Sequence, residues 1–443
     1  MTTEVAILNV GAVALAADSA VTVGLSKTYP SVDKLFPLSK YHPVGVMIYN
    51  GADFMGIPWE TIIKVYRDSL GTSQKPLLND YLDDFLEFLT DPEGLITADL
   101  QANHFRETIG FFFFGILEQL GKEMTCLPDG GESLSEAQKT ERLERLIEEN
   151  HKKFLSIEKL SHWSADDEDK LLRSYSDLVH KVCDDLFATY QLSAQALQRL
   201  REISVALFSR DYWLRYTGVV MAGFGEKEVF PVLRSFIVSG VVNNKARMIR
   251  TEHKDFTISP PRPTAAVIPF AQEDMVRSFM QGIDPTIQGD VVDFLKEFLT
   301  GFPDAVVSRI PGLEEQTKET IANDLKDVCS KMLDQFQNRL QRKTWDEFVE
   351  PILNAINSLP KGELAEMAEA LVSLTSLKRR FTIRQGEQHR HMNLETVGGP
   401  VDVAVISKGD GFVWIKKKSY FSLEANPGFI VKSYREVYER RGE

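Results

Sequence analysis

Three side chains in the first thirty-four residues could together do chemistry: Thr2, Asp18 and Lys34. Methionine followed by a small residue is an ordinary substrate for methionine aminopeptidase, so the working chain is expected to begin at Thr2. An N-terminal threonine holds a hydroxyl nucleophile and its own general base, the free α-amine, on one residue. The amine has a reference pKa of roughly 7.7–8, so much of it accepts a proton near neutral pH. Asp18 ends an unbroken apolar run, and Lys34 stands alone near the head of a short strand-like stretch. Taken singly each is ordinary: a threonine after Met1 is common, an aspartate there is a turn or cap, and a lone lysine is a solvated charge.

The elements that must position them are legible. Thr3 to Leu8 reads as a strand, Asn9-Val10-Gly11 as a turn and Ala12 to Ala17 as a buried strand. Thr22-Val23-Gly24 follows, then a loop from Ser26 to Ser31, the stretch Val32 to Phe36, and a further strand from Val44 to Tyr49. That strand breaks at Asn50-Gly51-Ala52-Asp53, after which Trp59 to Leu70 has helical spacing. Tight turns bring residues distant in sequence onto one sheet edge, so a lysine and an aspartate at strand ends can meet the first residue. A signal peptide over Val5 to Ala17 is rejected: no Lys or Arg precedes it, Glu4 sits where positive charge belongs, and Asn9 and Gly11 interrupt it.

On these residues the chain resembles the proteasome β-subunits and the bacterial ring protease of the same fold, which are N-terminal-nucleophile hydrolases. Thr2-Thr3, the strand and turn to Gly11, the block LAADSAVTVG from Leu15 to Gly24, and Lys34 match that family without a gap. Asn50 to Asp53 matches the turn before the family's first helix. The resemblance implies Thr2 as nucleophile, Lys34 lowering the hydroxyl's proton affinity by its charge, and Asp18 holding and balancing Lys34. It implies that backbone N–H groups near Tyr49 and Asn50 form the oxyanion hole, where a preorganised donor is worth several kcal/mol. Val21, Val32, Phe36 and Met47 would line the specificity pocket and select an apolar side chain before the cut bond. A peptide or protein substrate, a homo-oligomer, an unfoldase among the candidate partners, and no cofactor or metal go with it. Lys34→Ala is then expected to abolish turnover with little unfolding.

Composition sets bounds. With 443 residues the chain suits two or three domains or one heavily inserted domain. A net charge of −13 argues against nucleic acid or an anionic membrane as main partner, since both need a basic face. Cys126, Cys183 and Cys329 are scattered, odd in number and without metal spacing, which fits a reducing cytosol and a cytoplasmic location. The run Phe111 to Phe114 belongs to an apolar block of about eight residues, too short to span a membrane.

From 77 to 215 the texture is helical: Tyr81 to Leu89, Leu100 to Leu120, Ser135 to Phe154, Glu168 to Tyr190 and Ala194 to Phe208. Strands return at Gly218 to Gly225, Val229 to Val238, Gly240 to Val242 and Ala265 to Ile268. Gln272 to Gln341 is helical, with breaks at Asp284-Pro285, Gly301-Phe302-Pro303 and Pro311-Gly312; Trp345 to Ile356 and Glu363 to Leu377 follow. His389 and His391 lie in a polar stretch without a nearby cysteine and read as loop, not metal site. Val397-Gly398-Gly399-Pro400 opens two strands joined at Lys408 to Gly411, and the double glycine resembles the family's. Two departures stand beside it. Leu394 and Val397 occupy places where the family usually carries an aspartate and a serine, with Glu395 and Thr396 adjacent. Phe270-Ala271-Gln272 stands where the family has a Gly-Ser turn, which leaves Glu395 and Gln272 as candidates for the supporting role.

The expected architecture is α+β, a four-layer αββα N-terminal-nucleophile hydrolase sandwich with large all-helical insertions. Its parts are 2–76 as the first half of the core, 77–215 as a helical insertion, 216–280 as the middle strands, 281–360 as a second insertion, and 361–443 as the last helix and strands. The resemblance covers about 2–72, 216–280 and 361–418. The expected function is threonine-dependent amide hydrolysis, with peptide bonds as the first substrate class. Two readings stand beside it: an amidohydrolase of small molecules, which the same fold hosts, and a silent scaffold binding a partner through the helical insertion. Leu394 and Val397 favour the scaffold; the intact set of Thr2, Asp18 and Lys34 opposes it.

Overall fold

A computed structural model describes residues 3–23, 27–29, 32–91, 93–127, 134–312, 314–381, 399–419 and 426, and in it the chain is a mixed α and β protein built on antiparallel sheets. The first apolar runs become β1 (Thr3–Asn9) and β2 (Ala12–Ala17). Asn9 makes the turn between them, its side-chain oxygen accepting from the N–H groups of Gly11 and Ala12. A ribbon of β3 (Val21–Val23) and β4 (Lys27–Tyr29) follows, then β5 (Leu35–Pro37), β6 (Val44–Tyr49) and the short pair β7 (Asp53–Phe54) and β8 (Ile57–Pro58). Six helices come next: α1 (Trp59–Leu70), α2 (Leu78–Thr90), α3 (Ala98–Thr125), α4 (Glu136–Ser156), α5 (Ala165–Phe187) and α6 (Ala194–Ser209). Thr97, Ser135, Ser164 and Ser193 cap the last four, each side chain accepting a first-turn N–H.

The chain then returns to strands: β9 (Thr217–Gly223), β10 (Val232–Val242), β11 (Lys245–Arg250), β12 (Phe256–Thr257) and β13 (Ala265–Ala271). β11, with the sequence KARMIR, was not anticipated, because its basic residues break the apolar pattern. The signal was the pair Asn243-Asn244, both at positive φ, which suits a tight hairpin turn. Next come α7 (Asp274–Gln281), α8 (Pro285–Val307), α9 (Glu315–Thr344), a π-helical turn (Trp345–Val349), α10 (Glu350–Asn357), α11 (Lys361–Phe381), β14 (Asp402–Ser407) and β15 (Gly411–Lys416). The expected break at Gly301-Phe302-Pro303 does not occur. Pro303 is buried inside α8 close to its end, where the missing N–H forfeits a single backbone bond.

Two sheets stack. One has the order β13-β1-β2-β14-β15, the other β11-β10-β9-β6-β5. Ala6, Leu8 and Leu15 of the first share a core with Met47, Val220 and Leu233 of the second. The outer face of the first carries Val5, Ile7 and Ala14 against Ile356, Leu364 and Ala368 of α10 and α11. The outer face of the second carries Val46, Ile48 and Phe236 against Ile62, Tyr66 and Phe85 of α1 and α2. The layers therefore run helix, sheet, sheet, helix. Because α2 belongs to this core, the break in packing falls after α2 and not at residue 77. α3 to α6 close a core of their own, around Phe105, Phe113, Leu143 and Leu200, which abuts Val242 at the end of β10. Of 281–360, α8 and α9 project, while α10 packs under the first sheet. Among the described residues no helix is long and apolar enough to cross a membrane.

Arg247 of β11 pins the helical body to the second sheet, donating to the carbonyls of Phe208, Arg210 and Tyr212 and to Ser239 Oγ. His104 of α3 lies across Gly240, where a Cβ would fall 2.1 Å from its Nε2. Burial, and then the Arg247 charge, hold its imidazole down to about 4. The folded state thus keeps His104 neutral where the unfolded chain, titrating near its ordinary value, is protonated. Stability is full above about pH 6.5 and declines as the pH falls towards 4. Urea midpoints at pH 7.5 and 4.5 should fall less for His104→Gln than for wild type; equal falls would remove His104 from the acid response.

Candidate active site

The β1–β2 ladder continues one rung past its last strand pair, Glu4 and Ala17. The Asp18 N–H donates to the Thr3 carbonyl at 3.1 Å, and the Thr3 N–H donates to Asp18 Oδ1 at 3.2 Å. Lys34, just before the edge strand β5 of the other sheet, reaches across, and its Nζ donates to the same Asp18 Oδ1 at 2.5 Å. Lys34 is 3% exposed and Asp18 1%. The main chain of Lys34 is fixed as well, its carbonyl accepting from the Ile48 N–H at 2.8 Å. Its neighbour Asp33 turns the other way, to Lys418 Nζ at 3.0 Å, and Lys418 also pairs with Asp402 at 2.5 Å. The segment bearing Lys34 is held from both sides.

Sequence reasoning missed Glu4. Its side chain is fully buried, and Oε1 lies 3.4 Å from Lys34 Nζ. Glu4 shares the parity of Ala6 and Leu8 in β1, so it points between the sheets, as they do. Two carboxylates therefore flank one ammonium. The signal was there: a charge inside an otherwise apolar strand is too costly to bury without a counter-ion.

The two expected oxyanion donors separate. Because the Ile48 N–H faces Lys34, strand alternation turns the Tyr49 N–H towards β9 and brings that of Asn50 back to the Lys34 side. Asn50 takes the left-handed φ of 74°. The Tyr49 ring lies over Gly218, where a Cβ would fall 1.9 Å from it. Burial first, then Tyr216, Glu4 and Glu273, push its hydroxyl up, so it stays neutral.

The expected specificity pocket is corrected. Phe36 pairs with Val46 and packs on the helix side of its sheet, whereas Met47 pairs with Leu35 and packs between the sheets. Adjacent positions on paired strands point to opposite faces, so Phe36 and Met47, both buried, cannot line one pocket. Val32 is half-buried beside Asp33. Thr2, the side chain of Val21, Leu394, Glu395, Val397, His389 and His391 lie outside the described residues.

Gln272 follows β13, whose last residue, Ala271, pairs with Thr3. It is 6% exposed, and neither amide atom has a hydrogen-bond partner among the described residues. Ala271 itself adopts φ 58°, a conformation glycine takes without steric cost. Ala271→Gly should raise stability by about 0.5–1 kcal/mol, the relief of the left-handed strain less the entropy of the added freedom. A lower urea midpoint for that variant would show that the turn carries no strain. A cavity of about 1150 Å³ lies along the outer edge of β13 beside Lys254, Glu273 and Arg277 and does not include Lys34 or Asp18.

No family model matches the sequence, and no curated protein does. Among solved structures, Anbu (ancestral beta-subunit) from Yersinia bercovieri is similar at a TM-score of 0.27 and 8% identity, over 99% of this chain and 96% of that chain. So distant a likeness leaves the chemistry to this chain's own residues.

Proposed function

We propose that this chain is an N-terminal-nucleophile hydrolase of the proteasome-like kind, cleaving amide bonds, with a peptide or protein chain as substrate. The observation that carries the reading is the buried Lys34–Asp18 pair, with Asp18 gripping the N–H of Thr3, the residue after Thr2. An ammonium fixed there favours the ionised form of a nearby hydroxyl. In the reaction, Thr2 Oγ attacks the carbonyl carbon while the α-amine of Thr2 takes the hydroxyl proton. The oxyanion is met by backbone N–H, with Asn50 the better-oriented donor. The intermediate collapses as the amine returns the proton to the leaving nitrogen, giving an acyl ester on Thr2. Water, activated by the same amine, then releases the acid.

Glu4 favours a second reading. With two carboxylates already on Lys34, the cluster is also what a purely structural ion network between two sheets would be. A β-lactone separates the two, because acylation needs a nucleophilic hydroxyl and not just a buried pair. Intact mass and peptide mapping should show one adduct, on Thr2, and fluorogenic peptides should be cleaved in preference to small acyl-amides. Protein that lacks Met1 and still takes no adduct would leave the structural reading standing.

A further inference from the structure

β13 is the outermost strand of the first sheet, and the cavity of about 1150 Å³ lies against its free edge. Which main-chain groups occupy that edge follows from β1. The N–H and the carbonyl of Thr3 are both bonded to Asp18, on the β2 side, so alternation turns the main-chain groups of Glu4, Ala6 and Leu8 towards β13. Those three stand opposite Phe270, Ile268 and Ala266. Ala265, Val267 and Pro269 therefore aim their main-chain groups away from β1 and into the cavity. Pro269, which has no N–H, is tolerated in the strand for that reason.

One end of this edge is closed, because the Pro269 carbonyl accepts from Lys254 Nζ at 3.1 Å. Ala265 and Val267 each keep an N–H and a carbonyl, and none of these groups has a hydrogen-bond partner among the described residues. A donor and an acceptor repeating every second residue along a strand are matched by another peptide backbone. The walls set the side chains. In an antiparallel pair, residues facing Ala265 and Val267 point to the same side as those two do, the helix side. There Met280 of α7, Trp345 and Val349 of the π-helical turn and Leu353 of α10 line the cavity. Phe256, and Lys254 over the Phe270 ring at 4.9 Å, line the other side. The charges around it balance, Lys254, Arg277 and Arg342 against Asp255, Glu273 and Asp346, and Glu273 holds both Lys254 and Arg277.

We propose that this edge binds an extended, uncharged polypeptide segment, added to the first sheet as a strand antiparallel to β13. Its alternate residues are apolar and pack on Met280, Trp345, Val349 and Leu353, and their main-chain groups pair with those of Ala265 and Val267. The residues between them point towards Phe256 and Lys254. The closed end at Pro269 keeps the contact short, a few residues long. A cavity of about 1150 Å³ is at the upper end of ligand-sized sites. It has room for a short peptide and none for the sheet of a second copy, whose own covering helices would meet α7 and α10. This does not depend on the reading of the active site.

The test is fluorescence anisotropy with the full chain carrying Thr2→Ala, so that no cleavage intrudes. The probe is a labelled pool of capped peptides, Gly-Ser-X-Ser-X-Ser-Gly, in which X is Val, Leu, Ile or Phe. The pool should bind with a Kd below about 1 mM. Methylating the amide nitrogens of both X residues removes the donors that face β13 and should weaken binding by about tenfold or more. Methylating the central serine, whose N–H faces away, should leave binding within about threefold. Val267→Pro takes away one outward N–H and spares the β1 ladder, so its urea midpoint should stay near that of the parent while binding falls about tenfold. A pool that does not bind overturns the proposal, including one excluded because a second copy already covers the edge. So does binding that survives methylation of the X residues, or that the central serine's methyl group weakens as much. A folded Val267→Pro protein that binds as the parent does would overturn it too, and if that variant does not fold, the methylated peptides decide on the unaltered edge.

Discussion

Lys34→Ala should lose about 3–5 kcal/mol of stability, because truncating one partner of a buried ion cluster leaves the rest uncompensated. The expectation from sequence, that turnover would vanish with little unfolding, does not survive Glu4. Without Lys34, the carboxylates of Glu4 and Asp18 would face each other between two sheets, both buried. The stability loss therefore has to be separated from any loss of chemistry. In the triple variant Glu4→Gln/Asp18→Asn/Lys34→Met the charges go together, and replacing a whole buried cluster by neutral groups of similar size is often neutral or stabilising. Its urea midpoint should return most of the way to wild type, while turnover stays down by about 10²–10³-fold, the range seen when one electrostatic stabiliser of a transition state is lost. A wild-type midpoint for Lys34→Ala would mean that its ammonium is solvated and the cluster is not formed. Turnover surviving in the stable triple variant would strip Lys34 of a catalytic role.

The same residue shows why the fold was more legible than the site. β1, β2, β6 and α1 could be placed nearly to their ends because apolar runs are bounded by Asn and Gly turns. Yet a strand covered on both faces is apolar throughout, so its sequence does not say which residues look inward. Val5 and Ile7 meet helices while Ala6 and Leu8 meet the other sheet, and nothing in the run distinguishes them. The facing of Glu4, and with it the second carboxylate on Lys34, follows only once the layers are known. Phe36 and Met47 failed as pocket partners for a related reason: the pairing Leu35–Met47, which sets their faces, is a register between strands separated by a turn of unread geometry. α2 was assigned to an insertion because helical spacing marks an amphipathic face without naming its partner. Its buried side, Tyr81, Leu82 and Phe85, belongs to the second sheet.

The largest effect expected on turnover comes from the α-amine of Thr2. The proposed mechanism uses the α-amine of Thr2 as base, and an amine acylated by a preceding residue becomes an amide with no basic lone pair. An N-terminal extension ending in a protease site that leaves Thr2 first should therefore be inactive, while folding as the released protein does. Cleavage of the extension should restore turnover by about 10³-fold or more, on the scale of losing the base of an activated hydroxyl. The rate of the released protein should rise with pH over roughly 7–8, as the amine loses its proton. Thr2→Ala, released in the same way, has the amine without the hydroxyl and should stay at background. Equal rates before and after release, or a Thr2→Ala protein that turns over at the rate of wild type, would place the chemistry elsewhere. Lys34, Asp18 and Glu4 would then be an ion network whose work is to join two sheets.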